Sequence, residues 1–295
     1  MRVFITGATG FIGSAVVREL IGAGHQVLGM ARSDAGAQSL IAAGAEVHRG
    51  ELTDLESLRS GAAQADAVIH TAFIHDFSKF AANCEIDKRA IETLGDALAG
   101  SNRTLIVTSG IGPLAPGRAA TEEDAAIFNP AMPRVSEQTG LAQALRDVNV
   151  SVVRLPQVHD TAKQGLITYA VHLARVKGIS AYIGEGQNRW AAAHVLDVAH
   201  LYRLALEKHE AGARYHAVAE EGVSMREIAE VVGKGLKVPV VSLSGEEASA
   251  HFGWLAVPAR TDMPASSAQT REKLGWNPTG PSLISDLENM NYSQG

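Results

Sequence analysis

Cysteine is nearly absent from the chain, since Cys84 is the one thiol among 295 residues. An intrachain disulfide and a cysteine metal cage are therefore excluded, and a reducing, cytoplasmic setting is expected. Positive charge is not in excess either, because 26 Lys and Arg face 32 Asp and Glu and give a formal net charge of -6. No apolar run approaches the roughly 18 residues of a membrane-spanning helix, and the first residues show no signal-peptide pattern. We expect no nucleic-acid or membrane partner.

The rest of the composition is typical of a globular protein, with 46% hydrophobic and 20% charged residues. Up to residue 155, short apolar runs alternate with amphipathic stretches. This order predicts a parallel sheet covered by helices, which is the Rossmann-type doubly wound α/β fold. The predicted strands are 3–6, 25–31, 45–49, 66–72, 103–109 and 150–156.

Beyond residue 155 the alternation loosens, and helical periods are interrupted by short strand-like pieces. We expect residues 1–155 to form a nucleotide-binding core. Residues 156–295 are expected to form mostly a smaller, mixed substrate-binding lobe, interleaved with the last part of the sheet. Asp54 and Ser224 are predicted helix caps, and Ser224 forms a capping-box pattern with Glu227 three residues later.

A glycine-rich loop, TGATGFIG at positions 6–13, follows the first predicted strand and opens the first helix. Gly7 allows the tight turn, Gly10 lets the backbone approach a pyrophosphate, and Gly13 lets the helix lie close to the strand. The location at the first β-to-α crossing of a parallel sheet predicts dinucleotide binding. The predicted contacts in this loop are Gly7, Thr9, Gly10, Phe11, Ile12 and Gly13.

The end of the second strand indicates which dinucleotide is bound. An NAD-binding protein usually has an acidic residue there for the ribose 2′-hydroxyl, but this chain has Ala31, followed by Arg32 and Ser33. A planar cation suits a 2′-phosphate, so we predict NADPH in preference to NADH. The alternative is that Arg32 is an ordinary solvated side chain and Asp34 binds the ribose. Further along, Glu51 and Leu52 are expected to border the adenine, and Thr71, Ala72 and Phe73 to line the path to the nicotinamide.

Several motifs together resemble the extended and atypical short-chain dehydrogenase/reductases, the NAD-dependent epimerase/dehydratase superfamily. They are TGATGFIG, IHTA at strand four, VTSG at strand five, VVRLP at strand six, WAAAHVLDVAHLYRLAL at 190–206 and REKLGWNP at 271–278. The resemblance implies that Ser109 hydrogen-bonds the substrate carbonyl near the cofactor. It also implies that Pro156, Gln157 and Val158 bracket the nicotinamide amide.

The chain departs from this family at the catalytic Tyr and Lys that usually accompany the serine. Alignment on Glu137 puts Asn129 and Pro133 at those positions, and neither side chain can transfer a proton as Tyr and Lys would. The cation in the same window, Arg134, stays protonated in proteins. A water, a substrate hydroxyl or a histidine is therefore expected to supply the proton.

Three histidines, His75, His159 and His194, are candidates by position, although for each one alone a loop or packed histidine with locally satisfied ring nitrogens is the favoured interpretation. His159 and His194 are the predicted proton donors. No metal-ligand spacing connects the three, so no metal site is expected. Arg189 and Trp190 are candidate substrate contacts, with a core position as the alternative for Trp190.

The preferred function is an NADPH-dependent ketoreductase acting on a small-molecule carbonyl substrate. A nucleotide-sugar epimerase or dehydratase is less favoured, because such reactions start by deprotonating a sugar hydroxyl and need the missing base. A catalytically silent NADP-sensing regulatory protein is the third hypothesis. The sequence leaves monomer and homodimer open.

Overall fold

The computed structural model describes residues 1–126 and 133–293. The strands in this part of the chain are β1 (Arg2–Thr6), β2 (Gln26–Ala31), β3 (Glu46–Arg49), β4 (Ala67–His70), β5 (Thr104–Gly110), β6 (Asn149–Leu155), β7 (Gln157–His159), β8 (Ser180–Ile183), β9 (Arg189–His194), β10 (Arg214–His216), β11 (Glu220–Ser224) and β12 (Val240–Leu243). The α-helices are α1 (Phe11–Gly22), α2 (Asp34–Ala42), α3 (Leu55–Ala63), α4 (Phe80–Leu98), α5 (Ser136–Ala142), α6 (Ile167–Lys177), α7 (Val195–Lys208), α8 (Met225–Leu236), α9 (Gly245–Phe252), α10 (Ala256–Arg260), α11 (Ala268–Leu274) and α12 (Leu283–Glu288). Short 3₁₀ turns occur at Phe77–Lys79, Gln143–Arg146 and Gly253–Leu255.

Seven strands form one parallel sheet in the order β3-β2-β1-β4-β5-β6-β10. The strand order reverses between β1 and β4, so a crevice opens at the carboxyl ends of these two strands. The predicted doubly wound α/β fold is confirmed. One of the strand-like pieces expected after residue 155 joins this sheet as β10, beside β6.

Helices cover both faces of the main sheet. On one face α1, α2 and α7 pack on the sheet through a core that includes Val16, Leu20 and Leu201. On the other face α3 and α4 contribute Leu58 and Ile91 to a second buried core. The sheet is therefore buried on both sides, as its nearly continuous apolar strands require.

The smaller lobe is built on two minor sheets, in the orders β11-β9-β7 and β12-β8. Helices α6, α8, α9 and α12 pack on these strands around a separate apolar core that contains Trp190 and Phe252. A mixed lobe of this kind was expected from the looser pattern after residue 155. The division at residue 155 itself stays a prediction.

The predicted caps are confirmed. Asp54 accepts a hydrogen bond from the Ser57 amide, and Ser224 and Glu227 form the reciprocal capping box of α8. None of the helices in the described part of the chain combines the length and apolar character of a membrane span. The same residues contain no group of three His, Cys, Asp or Glu side chains arranged to bind a metal ion.

Candidate active site

The glycine-rich loop between β1 and α1 is tightly packed at two of its three glycines. Gly7 has φ +70°, and a Cβ atom there would lie 2.7 Å from the Ala72 nitrogen. A Cβ on Gly13 would lie 2.1 Å from the Gly7 carbonyl oxygen. These two positions require glycine because the loop folds onto α1 and onto the segment after β4.

Gly10 differs from the other two, because it is exposed and its φ of -78° is open to any residue. A Cβ there would meet only the Gly7 carbonyl oxygen, at 3.1 Å. Helix α1 begins at this residue without a side-chain cap and without an acidic residue in its first turn. The amides of Phe11 and Ile12 therefore remain available to an anion, and the open face at Gly10 leaves room for one.

Arg32 and Ser33 lie next to this loop, at the end of β2 and the start of α2. Arg32 is exposed and makes no hydrogen bond or ion pair within residues 1–126 and 133–293. Ser33 caps α2 by accepting from the Gly36 amide, and a Cβ on Gly36 would lie 3.2 Å from Thr9 Cγ2. The structure thus brings Thr9 close to the first turn of α2, the helix that follows Arg32 in the chain.

Asp34, the alternative ribose ligand, is already engaged. Its carboxylate forms an ion pair with Arg49, at the end of the neighbouring strand β3. The contact favours Arg32 as the group that is free to bind a ligand.

Glu51 and Leu52 follow β3 and occupy different environments. Glu51 is exposed and accepts a hydrogen bond from Thr53 Oγ1 at 2.9 Å. Leu52 is buried in the core of the α3 and α4 face. An adenine contact for these two residues stays a prediction, and the exposed Glu51 is the better placed of the two.

The carboxyl edge of the sheet gathers the other predicted cofactor residues. In the strand register, His70 pairs with Thr6 on one side and with Val107 on the other. When this register is extended past His70, Thr71 lies level with Gly7 and Ala72 lies level with Ser109. Thr71 Oγ1 donates to the Thr6 carbonyl at 2.8 Å. Gly110 pairs with Leu155, directly before Pro156. The glycine loop, Ser109 and Pro156 therefore lie along one edge.

Ser109 is half-buried, and its hydroxyl makes no hydrogen bond within the described residues. Arg134 is held close to it: its guanidinium donates to the Thr108 carbonyl at 3.2 Å and lies over the Phe73 ring at 4.3 Å from the centroid. From the sequence, no role in proton transfer is expected for Arg134. In the structure its guanidinium is anchored to the carbonyl of the residue before Ser109.

A buried polar chain positions this arginine. Arg134 Nε donates to Ser136 Oγ at 2.8 Å, and Ser136 donates to Asp87 Oδ2 at 2.5 Å. The other oxygen of Asp87 accepts from His70 Nε2 at 3.2 Å. Burial alone would raise the pKa of Asp87. The pKa is nevertheless below its usual value, because His70 and Ser136 donate hydrogen bonds to the carboxylate and because the charges of His70 and Arg134 stabilise its ionised form. The chain therefore ends on an ionised carboxylate.

His75 lies at the same edge. Its ring is 5.3 Å from that of Phe73, and desolvation together with the Arg134 charge lowers its pKa. The imidazole is therefore neutral near pH 7, which makes it a poor source of a proton.

His159 and His194 lie together on β7 and at the start of α7, in contact with the smaller lobe. His159 Nδ1 is 2.7 Å from Asp286 Oδ2, and His194 Nδ1 accepts from the Leu196 amide. Within the described residues, no hydrogen bond, ion pair or ring contact joins either histidine to Ser109. Burial lowers the pKa of His159. A proton-donor role for these two residues stays a prediction.

The other candidate residues, Gln157, Val158, Arg189 and Trp190, are buried or engaged in local hydrogen bonds and ion pairs. Gln157 accepts from the Leu166 amide at 2.8 Å, and Val158 is buried in the main core. Arg189 forms a two-point ion pair with Asp262 on a polar surface cleft of the lobe. Trp190 is 1% exposed in the lobe core and donates to the Thr261 carbonyl. Substrate contact by Arg189 or Trp190 stays a prediction that these contacts do not favour.

Comparison with known proteins places the chain in a family. A model of the NAD dependent epimerase/dehydratase family matches residues 3–100. An uncharacterized protein of Schizosaccharomyces pombe is 46% identical over 99% of this chain and 100% of that protein. The chain belongs to the NAD-dependent epimerase/dehydratase family. The family and its solved neighbours bind NAD(P) cofactors, and the resemblance to extended short-chain dehydrogenase/reductases is confirmed.

One further relative and one solved fold neighbour of this family member have named activities. A 4-hydroxy-2-methyl-3-oxo-4-farnesyl-3,4-dihydroquinoline-1-oxide ketoreductase of Stigmatella aurantiaca is 25% identical over 90% of this chain and 84% of that protein. A dTDP-glucose 4,6-dehydratase of Streptomyces venezuelae, solved with NAD bound, has a TM-score of 0.77 at 19% identity and covers 98% of this chain and 95% of that one. The second likeness shows the fold alone.

The absence of the family's usual catalytic tyrosine from this chain stays a prediction. The Tyr202 hydroxyl lies 2.6 Å from Thr108 Oγ1. Thr108 and Ser109 point to opposite faces of the sheet, and complete burial raises the pKa of Tyr202. Pro133 is half-buried, and Asn129 lies outside the described residues.

Proposed function

We propose that the protein is an NADPH-dependent ketoreductase acting on a small-molecule carbonyl compound. The observation that carries the proposal is the pair formed by a free Ser109 hydroxyl and a fixed Arg134 guanidinium, on the sheet edge that also holds the glycine-rich loop. A hydroxyl donor and a cation beside each other suit a carbonyl oxygen that gains negative charge during reduction.

The residues around the loop fit the cofactor. The uncapped amides of Phe11 and Ile12 would bind the pyrophosphate over the open face of Gly10, and Arg32 would pair with the 2′-phosphate. When bound, NADPH supplies the hydride to the carbonyl carbon. Thr71 to Phe73 and Pro156 to Val158 would flank the nicotinamide end, along the edge that carries Ser109.

Ser109 would donate its hydroxyl hydrogen bond to the substrate oxygen and so orient the carbonyl. Arg134 would stabilise the alkoxide through its charge, without giving up a proton, because guanidinium groups stay protonated. The polar chain through Ser136 to the ionised Asp87 keeps the guanidinium in place. The proton would come from water or from a hydroxyl of the substrate itself.

The activity named for the Stigmatella aurantiaca relative, a ketoreductase, supports a carbonyl as the substrate. A nucleotide-sugar epimerase or dehydratase is a weaker candidate, because its first step needs a base at the substrate hydroxyl. The neutral imidazole at this edge, His75, contacts the Phe73 and Phe77 rings and makes no hydrogen bond to Ser109 within the described residues. The single buried cysteine, Cys84, supports the expectation of a reducing cytoplasmic setting.

The proposal is tested by following NADPH absorbance with a panel of quinones, aromatic ketones and aldehydes. We expect oxidation of NADPH in wild type and a fall in kcat of one to three decades in Arg134→Gln, roughly the range for losing one stabilising contact to an oxyanion. Arg134→Lys should recover part of the rate, since it keeps the charge. Arg89→Gln, which changes an exposed arginine of α4, is the matched control. NADPH binding without oxidation across the panel would support the sensor hypothesis instead.

A further inference from the structure

We infer that the substrate of this site is a flat aromatic carbonyl compound, which stacks on a row of aromatic side chains that begins beside Ser109. The row, here called the aromatic wall, consists of Phe73, His75, Phe77, Tyr169 and Trp254. The inference rests on the proposed function for its reaction, but its ligand class is tested separately below.

The wall is continuous from the Ser109 edge outward. Arg134 lies over Phe73, whose ring is 5.3 Å from His75, and the His75 ring is 6.2 Å from Phe77. Phe77 stacks on Trp254 with centroids 4.2 Å apart and planes 12° apart. Trp254 in turn meets the edge of Tyr169 at 5.2 Å. A ligand ring that stacks on this row would therefore place its carbonyl group near Ser109 and Arg134.

The wall joins the two parts of the fold across the cleft. Phe73, His75 and Phe77 belong to the segment after β4, at the cofactor edge. Tyr169 is on α6 and Trp254 on a 3₁₀ turn of the smaller lobe. Aromatic residues are only 5% of the chain, and three of its seven phenylalanines, the third being Phe80, lie at or against this row. Such a concentration at one edge favours a ligand with a π face.

The exposure of the wall distinguishes it from a buried contact between lobes. Trp254 is 46% exposed and Tyr169 is 37% exposed, whereas Trp190 and Trp276 are 1% and 2% exposed in the cores. An indole that serves only to hold two lobes together would be expected to lie inside the contact. The open ring surface of Trp254 is available to stack on a further ring.

The chemistry of the wall also favours an aromatic carbonyl over a charged sugar nucleotide. Its surface consists of aromatic rings, and within the described residues a single guanidinium, that of Arg134, lies over one of them. This one cation is at the end of the wall where a carbonyl oxygen would meet Ser109.

The first experiment compares acetophenone with cyclohexyl methyl ketone, which share the methyl ketone and the number of ring carbons but differ in planarity. In Trp254→Ala the ratio of kcat/KM for acetophenone to that for cyclohexyl methyl ketone should fall roughly two- to twelvefold, because only the planar ring loses the aromatic pairing energy. Trp254→Phe should restore much of the ratio. Val257→Ala, an exposed apolar change three residues away, should leave it unchanged. An unchanged ratio in Trp254→Ala would overturn the inference.

The second experiment needs no turnover. Trp254 is the exposed tryptophan, so acrylamide quenching of wild-type fluorescence reports mainly on it, and Trp254→Phe supplies the background of the two buried tryptophans. With NADP⁺ present, 1-phenylethanol should protect Trp254 from quenching, and 1-cyclohexylethanol should protect it less. Equal exposure of Trp254 with and without 1-phenylethanol would refute the stacking. Protection without any ketone reduction would keep the ligand class and refute the proposed function alone.

Discussion

Removal of Arg32 should convert a preference for NADPH into near-indifference between NADPH and NADH. A charge-assisted contact to a phosphate is worth about 1.5–3 kcal/mol, which is roughly 10- to 150-fold in affinity. Arg32 is exposed, so screening by solvent places the expected loss near tenfold. Arg49 lies on the neighbouring strand and is paired with Asp34, so a small residual preference for NADPH is expected in Arg32→Ala.

The assay is a titration of NADPH and NADH against wild type and Arg32→Ala at low and high salt. The variant should weaken NADPH about tenfold at low salt, less at high salt, and leave NADH nearly unchanged. Arg18→Ala removes another exposed arginine without a hydrogen-bond partner among the described residues, away from the start of α1, and serves as the control. An equal loss for both nucleotides would show that Arg32 supports the fold or general steering and does not recognise the 2′-phosphate.

Three further predictions concern the loop, Ser109 and a buried histidine. Gly10→Val should abolish nucleotide binding, because a side chain there enters the space for the pyrophosphate, while the circular dichroism spectrum stays that of wild type. Gly13→Ala should instead reduce the melting temperature, because its Cβ would overlap the Gly7 carbonyl. Tight nucleotide binding by Gly10→Val would contradict the assignment of the loop. Ser109→Ala should slow single-turnover reduction by about one to three decades, while some turnover survives. A ketone with a neighbouring hydroxyl should react faster than its methoxy analogue. Equal rates for these two ketones would show that the substrate hydroxyl does not assist the reduction. His216 accepts from Arg154 at 3.0 Å, and burial lowers its pKa, so the folded protein keeps it neutral while the unfolded chain takes up a proton below about pH 6.5. Urea unfolding should therefore show stability falling toward low pH, with a slope about 1.4 kcal/mol per pH unit steeper than in His216→Gln, and equal slopes would show that His216 does not remain neutral.

The cofactor half of the site could be predicted from sequence because its function is carried by backbone. Glycines at fixed spacing after a strand define a turn, and Gly7 and Gly13 are at the two positions where a Cβ would meet backbone atoms. The caps at Asp54 and Ser224 were predictable for a similar reason, since a cap depends on residues three positions apart. The same pattern at Ser244 and Glu247 would have indicated the start of α9.

The proposed catalytic half of the site depends on contacts between distant segments. Arg134 takes its place from Ser136 and from the Thr108 carbonyl, and Ser136 is held by Asp87 on another helix. His159 follows β6 in sequence, yet its ring is held by Asp286, 127 residues later. Local pattern fixes neither side-chain direction, so the sequence could not predict the position of Arg134 or the Asp286 partner of His159. The proton-donor role of His159 and His194 stays a prediction.

The aromatic wall was not predictable for the same reason. Phe77 and Trp254 belong to different parts of the chain, and neither lies in a recognisable motif. Their meeting follows from the packing of the smaller lobe over the carboxyl edge of the main sheet.

The central claim, hydride transfer to a carbonyl carbon at the Ser109 and Arg134 pair, is tested most directly with NADPH deuterated at the nicotinamide C4 position. Wild-type protein is incubated with this cofactor and acetophenone, and the product is analysed by mass spectrometry and NMR. The account predicts one deuterium on the carbinol carbon of 1-phenylethanol, at a rate that falls by one to three decades in Ser109→Ala, the rough range for losing one contact to the developing oxyanion. Tight NADPH binding with no deuterium in the alcohol, or label transfer at the wild-type rate in both Ser109→Ala and Arg134→Gln, would contradict it.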